Sequence, residues 1–433
     1  MITPDRTKAP DFKHFQEFDI KEAHTLTLNN SLVLHCINAG DQPVARLELI
    51  FDAGVWHEKQ AGQAYFTGQM LKEGTTGKDS QAISLFFDQY GAFLEITPGV
   101  DQLTITVYAL TKHFPVLIPF LREMVFDSVF PEKELDTLKN IKIQNIKVRN
   151  EKNNVLASKI FRAALFGENH PYGTYLTEEL IHAAGREDLL TFHKTHVIKG
   201  FQIILSGQVQ DKEVRLIEEN FGDISMVDAT KNDIQHPVSS EVKQRTVKKE
   251  DSLQSSIRLG KTLFSKNHLD YARFSVVLEI LGGYFGSRLM KNIREEKGYT
   301  YGIHAAMANF IHAGYMIIGT DVKKSFTQAT IEEIHKEINI LQNVAVPNEE
   351  LETVKNYMLG SFQASITTPF SLADKFKAIH FYGLDYQFYQ NYLTSVKNIG
   401  QEDILTLAQK YLQVDSFTQV VVGGQQNHPS THS

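Results

Sequence analysis

The chain is 433 residues long, 42% hydrophobic and 22% charged, with a formal net charge of -7. That length outgrows one ordinary core and predicts two to four domains at roughly 100–200 residues each, and the balanced composition excludes a disordered or fibrous chain. The negative charge argues against nucleic acid as a partner, and the lone Cys36 excludes an intrachain disulfide and a thiolate zinc site, leaving only His and carboxylates for any metal.

The first residues, MITPDRTKAPDFKHF, lack the apolar run of a secretory signal, so the expected compartment is the cytoplasm. ARLELIFDAG reads as a strand, VLIPFLREMVFDSV as a helix and FQIILSGQV as a second strand. The polar stretch from Asp223 to Ser252, with Pro237 beside Val238, Ser239 and Ser240, reads as a linker. Beyond it, Leu281, Phe285, Leu289 and Ile293 recur at helical spacing, and Lys297 and Gly298 supply a cationic last turn and a C′ glycine. YTYGIHA then alternates like a strand, with Tyr301, Ile303 and Ala305 on one face. The uncharged stretch Gly298 to Thr320 carries His304, Asn309 and His312, which suits a hairpin of buried strands and not a membrane span. GYMIIGTDV and FTQVVVGGQ read as strands, ATIEEIHKEINIL as a helix, and the tail with His428 and His432 as a fraying end.

Comparing the chain with itself reveals a duplication. FPEKELDTLKNIK recurs as VPNEELETVKNYM, with Pro131 and Pro347 separated by 347 − 131 = 216. AGREDLLTF recurs as IGQEDILTL, with Gly185 and Gly400 separated by 400 − 185 = 215. Two matches in one register imply two copies of one unit: an N-terminal domain over 1–225, a linker over 226–250 and a C-terminal domain over 251–433. Strands alternating with long helices predict an α+β fold, each copy a mainly antiparallel sheet with helices packed on one face.

Metal motifs are scarce. His57-Glu58 would need a His at Ala61 to make H-E-x-x-H. His193 and His196 stand one turn apart with no acid near in sequence and read as a helix-surface pair. From spacing alone, Arg294 reads as a surface residue paired with an acid and Tyr301 as a core residue.

The run GQAYFTGQMLKEGT resembles the inverted zinc motif of the pitrilysin/insulinase metallopeptidase family, G-x-A-H-F-x-E-H-M followed by G-T. Gly62, Ala64, Phe66, Met70, Gly74 and Thr75 match its framework, while the ligand and base positions hold Tyr65, Gly68 and Gln69. A catalytic zinc needs lone-pair donors and a carboxylate to take the proton of its water. A phenol, a glycine and an amide supply neither. The family's third ligand, a Glu roughly seventy to eighty residues downstream, has no counterpart between Asp136 and Glu151. The expectation is therefore no metal and no cofactor on this chain, and no hydrolysis by it alone.

The resemblance extends to GENHPYG and to LGGYFGSRLMKNIREEKGYTYG. In that family an Arg and a Tyr at this spacing face the zinc and hold substrate carbonyls, which carries over to Arg294 and Tyr301. Gly282, Gly283 and Gly286 resemble the glycine-rich segment of the family's noncatalytic subunits. The resemblance thus implies a noncatalytic subunit that binds unfolded peptides and pairs as a heterodimer with a homologue holding H-x-x-E-H and zinc. A structural scaffold without a role in proteolysis is the alternative.

Overall fold

A computed structural model describes Thr7 and residues 19–224, 236–238 and 244–424. In the first half the elements are β1 (His24–Thr27), β2 (Val33–Asn38), β3 (Val44–Phe51), α1 (Gln63–Met70), α2 (Ser80–Gln89), β4 (Phe93–Pro98), β5 (Leu103–Leu110), α3 (Phe114–Phe126), α4 (Glu132–Asn150), α5 (Asn153–Phe166), α6 (Glu178–Ala183), α7 (Arg186–Phe192), β6 (Phe201–Gly207) and α8 (Asp211–Phe221). The second half runs through β7 (Gln244–Lys248), β8 (Gln254–Leu263), α9 (Tyr271–Leu278), β9 (Thr300–Asn309), β10 (Gly314–Lys323), α10 (Thr327–Asn343), α11 (Asn348–Ala364), α12 (Pro369–His380), α13 (Gln387–Asn398), α14 (Gln401–Tyr411) and β11 (Thr418–Gly423).

The duplication is visible in the sheets. The first has the order β1-β2-β6-β3-β5-β4 and the second β7-β11-β8-β10-β9, so without β1 the two orders superpose strand for strand. In both, the first of the matched pairs is parallel, β2 with β6 and β7 with β11, and the remaining matched pairs are antiparallel. Gly207 and Gly423, 423 − 207 = 216 apart, both take positive φ, and a Cβ on either would lie 2.3 Å from a carbonyl oxygen, of Val44 or of Gln254. That shared local demand is met by glycine alone.

The stretch from Gly298 to Thr320 forms the expected hairpin, β9 pairing with β10. Part of the stretch read as a linker is a strand: β7 completes the second sheet. Its residues are exposed apart from the partly buried Val247, the one apolar residue of the strand, so an edge strand is hidden from a reading based on hydrophobic period. His428 and His432 lie outside the described residues, as does most of the remaining linker.

Along β3, Leu47, Leu49 and Phe51 face the helices of their own half, the arrangement the strand period predicts. The opposite face is covered as well, by a helix from the other half. Leu372, Ala373 and Phe376 of α12 pack on Ile37, Ile50 and Ile204 of the first sheet. Reciprocally, α5 places Ala157, Phe161 and Ala164 against Val420 and Val422 of the second. Phe161 and Phe166 are fully enclosed in this contact, a burial that stabilises the fold by about 1.5–3 kcal/mol for each ring. Trp56 reinforces the junction by stacking on His312, with ring centroids 3.9 Å apart.

Candidate functional site

The residue preceding α1's glycine turn sets the helix that resembles a zinc site. The Glu58 carboxylate accepts from the backbone N–H of Gly62 at 3.1 Å and of Ala64 at 2.7 Å, capping the helix start. Burial pushes this carboxyl up to about 7, against the pull of those two donors. The His57-Glu58 pair is thus half a cap, and His57 itself sits 5.4 Å from the His196 ring. His193 and His196 are not surface residues as the sequence suggested. His193 is buried with Nε2 at 2.7 Å from the Val125 carbonyl, and burial followed by the His57 charge holds His196 down to about 4.

On α1 itself, Tyr65 is half-buried and burial raises its phenol pKa. Lys142 of α4 lies over its ring, Nζ 3.5 Å from the centroid. The interval 142 − 65 = 77 falls where the resemblance expects an acidic ligand, so an ammonium stands in that stretch in place of a carboxylate. Gly68 packs so tightly that a Cβ would lie 2.8 Å from Leu103 Cδ1 and 3.1 Å from Pro98 Cγ. The sheet has closed over the position a catalytic base would need. Gln69 donates from Nε2 to the Ile96 carbonyl of β4 at 3.2 Å, and Glu151 is exposed at the far end of α4, 4.0 Å from Lys249. Among the described residues, no three His, Cys, Asp or Glu side chains are grouped so as to hold a metal ion.

The second half holds a different constellation. α9 widens into a π-helical turn over Glu279–Gly283, and the chain then leaves the helix before a second π-helical segment, Met290–Glu296. Phe285, expected on a continuous helix, instead lies in the break and is 64% exposed. Gly282 belongs to packing: a Cβ there would meet the Ala305 nitrogen at 2.7 Å, so its absence lets the helix press on β9. Arg288 pins the second segment to α11 through paired bonds of 2.9 and 2.8 Å to Glu350.

This break brings Arg294, Phe285 and Tyr301 together. The Arg294 guanidinium lies 4.5 Å from the Phe285 ring and 5.7 Å from the Tyr301 ring, and among the described residues it makes no ion pair. The expected surface acid is missing, and aromatic faces hold the cation instead. Tyr301 is not a core residue but 93% exposed, although Ile303 and Ala305 on the same strand face are buried. The register shift between Thr320 and Val322 at that end of the β9–β10 pair releases the strand's start from the packed layer. Beside these groups opens a cleft of about 580 Å³ lined by Gly282, Gly283, Phe285, Tyr301, Arg258 and Asp321. Gly286 does not line it; a Cβ there would run into the Tyr284 ring at 2.8 Å. Phe285 was missed as a site residue because its spacing fits the helix period that the glycines interrupt.

The two α+β halves exchange helices, and the motif helix of the first carries a phenol, a glycine and an amide at the positions where the resemblance expects zinc ligands and a base. The chain belongs to the insulinase family, peptidase family M16. The profile described as Insulinase (Peptidase family M16) matches residues 35–177, and that described as Peptidase M16 inactive domain matches residues 183–358. It is 24% identical over 324 residues to an uncharacterized zinc protease, YmxG, of Bacillus subtilis, covering 72% of this chain and 78% of that protein. It is 22% identical over 387 residues to the non-peptidase homolog YmxG of Helicobacter pylori, covering 88% of this chain and 89% of that protein. A peptidase M16 inactive domain from Pseudomonas fluorescens has the same fold, with a TM-score of 0.83 at 23% identity over 94% of this chain and all of that one. No described helix is long and apolar enough to cross a membrane.

Proposed function

We propose that this chain is the noncatalytic, peptide-binding subunit of a two-chain zinc endopeptidase acting on unfolded peptides in the cytoplasm. Its partner is a homologue with an intact H-x-x-E-H that supplies the zinc and the attacking water. The observation that carries the reading is Arg294, which makes no ion pair among the described residues and lies against Phe285 and Tyr301, two rings that line the cleft. A guanidinium fork and a phenol O–H both donate to carbonyl oxygens, and both gain strength where negative charge develops on them. Positioned by aromatic stacking, they orient a peptide without using any group on α1.

The test is reconstitution with the H-x-x-E-H homologue. The isolated chain should carry no stoichiometric zinc and cleave nothing, and should raise the partner's turnover on unfolded peptides. Arg294→Ala and Tyr301→Phe should each lower turnover by about 10²–10³-fold, the range seen when one oxyanion donor is lost, while the complex still elutes as one species. Full turnover in both variants would remove the roles assigned to these side chains. A scaffold would assemble yet leave turnover unchanged.

A further inference from the structure

Beside the filled motif helix, where α4 meets α5, four cations gather. Lys142 and Arg149 are one heptad apart on α4, and Lys159 and Arg162 are three apart on α5. Among the described residues none of the four makes an ion pair. Lys142 rests on Tyr65 and Lys159 donates to the Asn150 side chain at 2.6 Å. Two neighbouring acids face other cations: Glu178 pairs with Lys147 at 2.9 Å, and the exposed Glu151 lies 4.0 Å from Lys249. Burial and then mutual repulsion hold Lys142 and Lys159 below the usual lysine range, Arg149 acting on both. A protein with a net charge of -7 has acids to spare for neutralising such a cluster, yet none among the described residues forms an ion pair with it.

We propose that the cluster of Lys142, Arg149, Lys159 and Arg162 is a docking site for the carboxylates of acidic peptide segments, setting the substrate class of the peptide-binding subunit. This rests on the peptide-binding reading above. The cations line the junction of two rigid helices, so the charge is preorganised and a carboxylate entering it relieves a repulsion already present in the empty protein. The chain's overall negative charge disfavours a nucleic acid, a long polyanion that the protein as a whole repels.

Labelled peptides of equal length, rich in Glu, in Ser and Asn, or in Lys, are titrated against the full chain by fluorescence anisotropy at low and physiological salt. The Glu-rich peptide should bind about tenfold more tightly than the neutral one, with the gap shrinking as salt rises. Arg149→Glu, an exposed change that leaves packing alone, and Lys159→Gln should each reduce that preference severalfold. Neutral and acidic peptides binding equally would overturn the acidic preference and leave the peptide-binding reading standing. No binding by any peptide would overturn both, and tighter binding of an oligonucleotide of matched charge would overturn the peptide assignment.

Discussion

The ammonium of Lys142 lies 3.5 Å from the centroid of the Tyr65 ring, so a protein-borne cation occupies the neighbourhood of a helix whose relatives are named as zinc proteases. Burial, with Arg149 and Lys159 behind it, lowers this lysine to about 8. Its neutral, nucleophilic form is therefore populated near neutrality, whereas an ordinary lysine is almost wholly protonated there. At mildly alkaline pH an acylating reagent should label Lys142 severalfold faster than exposed Lys336, read by peptide mass spectrometry. The linkage sign follows from the same shift. Between pH 8 and the ordinary lysine range the unfolded chain binds the extra proton, so the contribution of Lys142 to stability rises with pH across that window. Equal labelling rates would show that the site is solvated.

Restoring the family's side chains should not restore its chemistry. Tyr65→His, Gly68→Glu and Gln69→His together place a carboxylate where a Cβ alone meets Leu103 at 2.8 Å and Pro98 at 3.1 Å, and leave Lys142 to repel a divalent cation. Overpacking of this kind costs about 1–3 kcal/mol. We expect a urea midpoint below wild type, no stoichiometric zinc by elemental analysis, and no cleavage. Gly68→Ala alone should already show the stability loss, since it introduces the clashing atom without the charge.

The exchange of α5 and α12 depends on buried charges at matching positions of the two sheets. Arg46 bonds to the Phe370 carbonyl at 2.9 Å and to Asp374 at 2.9 Å, and Glu48 reaches Lys377. Arg258 reaches the Asn154 carbonyl at 3.3 Å and Ser158 Oγ at 3.2 Å. Each sheet thus grips the first turns of the helix from the other half. Arg46→Met leaves Glu48 buried with one partner fewer, and removing one member of a buried pair costs about 3–5 kcal/mol. The expected outcome is a lower denaturation midpoint and faster proteolysis between α11 and α12. A midpoint unchanged from wild type would mean that apolar packing alone docks the helix.

Much of this architecture is legible in the sequence because repetition and strand period are local signals. Pro131 and Pro347 start equivalent helices, and the runs around Leu47 and Ile318 are strands as read. What was not legible depends on partners distant in the chain. The apolar faces of α5 and α12 announce burial but not which sheet buries them. The break after Gly283 is hidden because Leu281, Phe285 and Leu289 keep the helical interval across it. Tyr301 obeys the same alternation as Ile303, and only the shifted register opposite it places one in solvent and the other in the core. The deficit at Tyr65, Gly68 and Gln69 needed no structure. That Gly68 is enclosed, and so hard to revert, did.

Glu58 offers a separate test of how the motif helix is held. Its folded-state value of about 7 exceeds the ordinary 4.5 because burial outweighs the two backbone donors. Between those values the folded protein binds the proton that the unfolded chain has released, so this group's contribution is fully present below pH 4.5 and is lost as the pH climbs through 7. Glu58→Gln keeps an amide oxygen to accept from Ala64 N–H and has no proton to lose. Relative to wild type the variant should therefore gain stability steadily from pH 5 to pH 8 in chemical denaturation series. Parallel pH profiles for the two proteins would mean that Glu58 stays ionised and that the cap, not burial, governs the carboxyl.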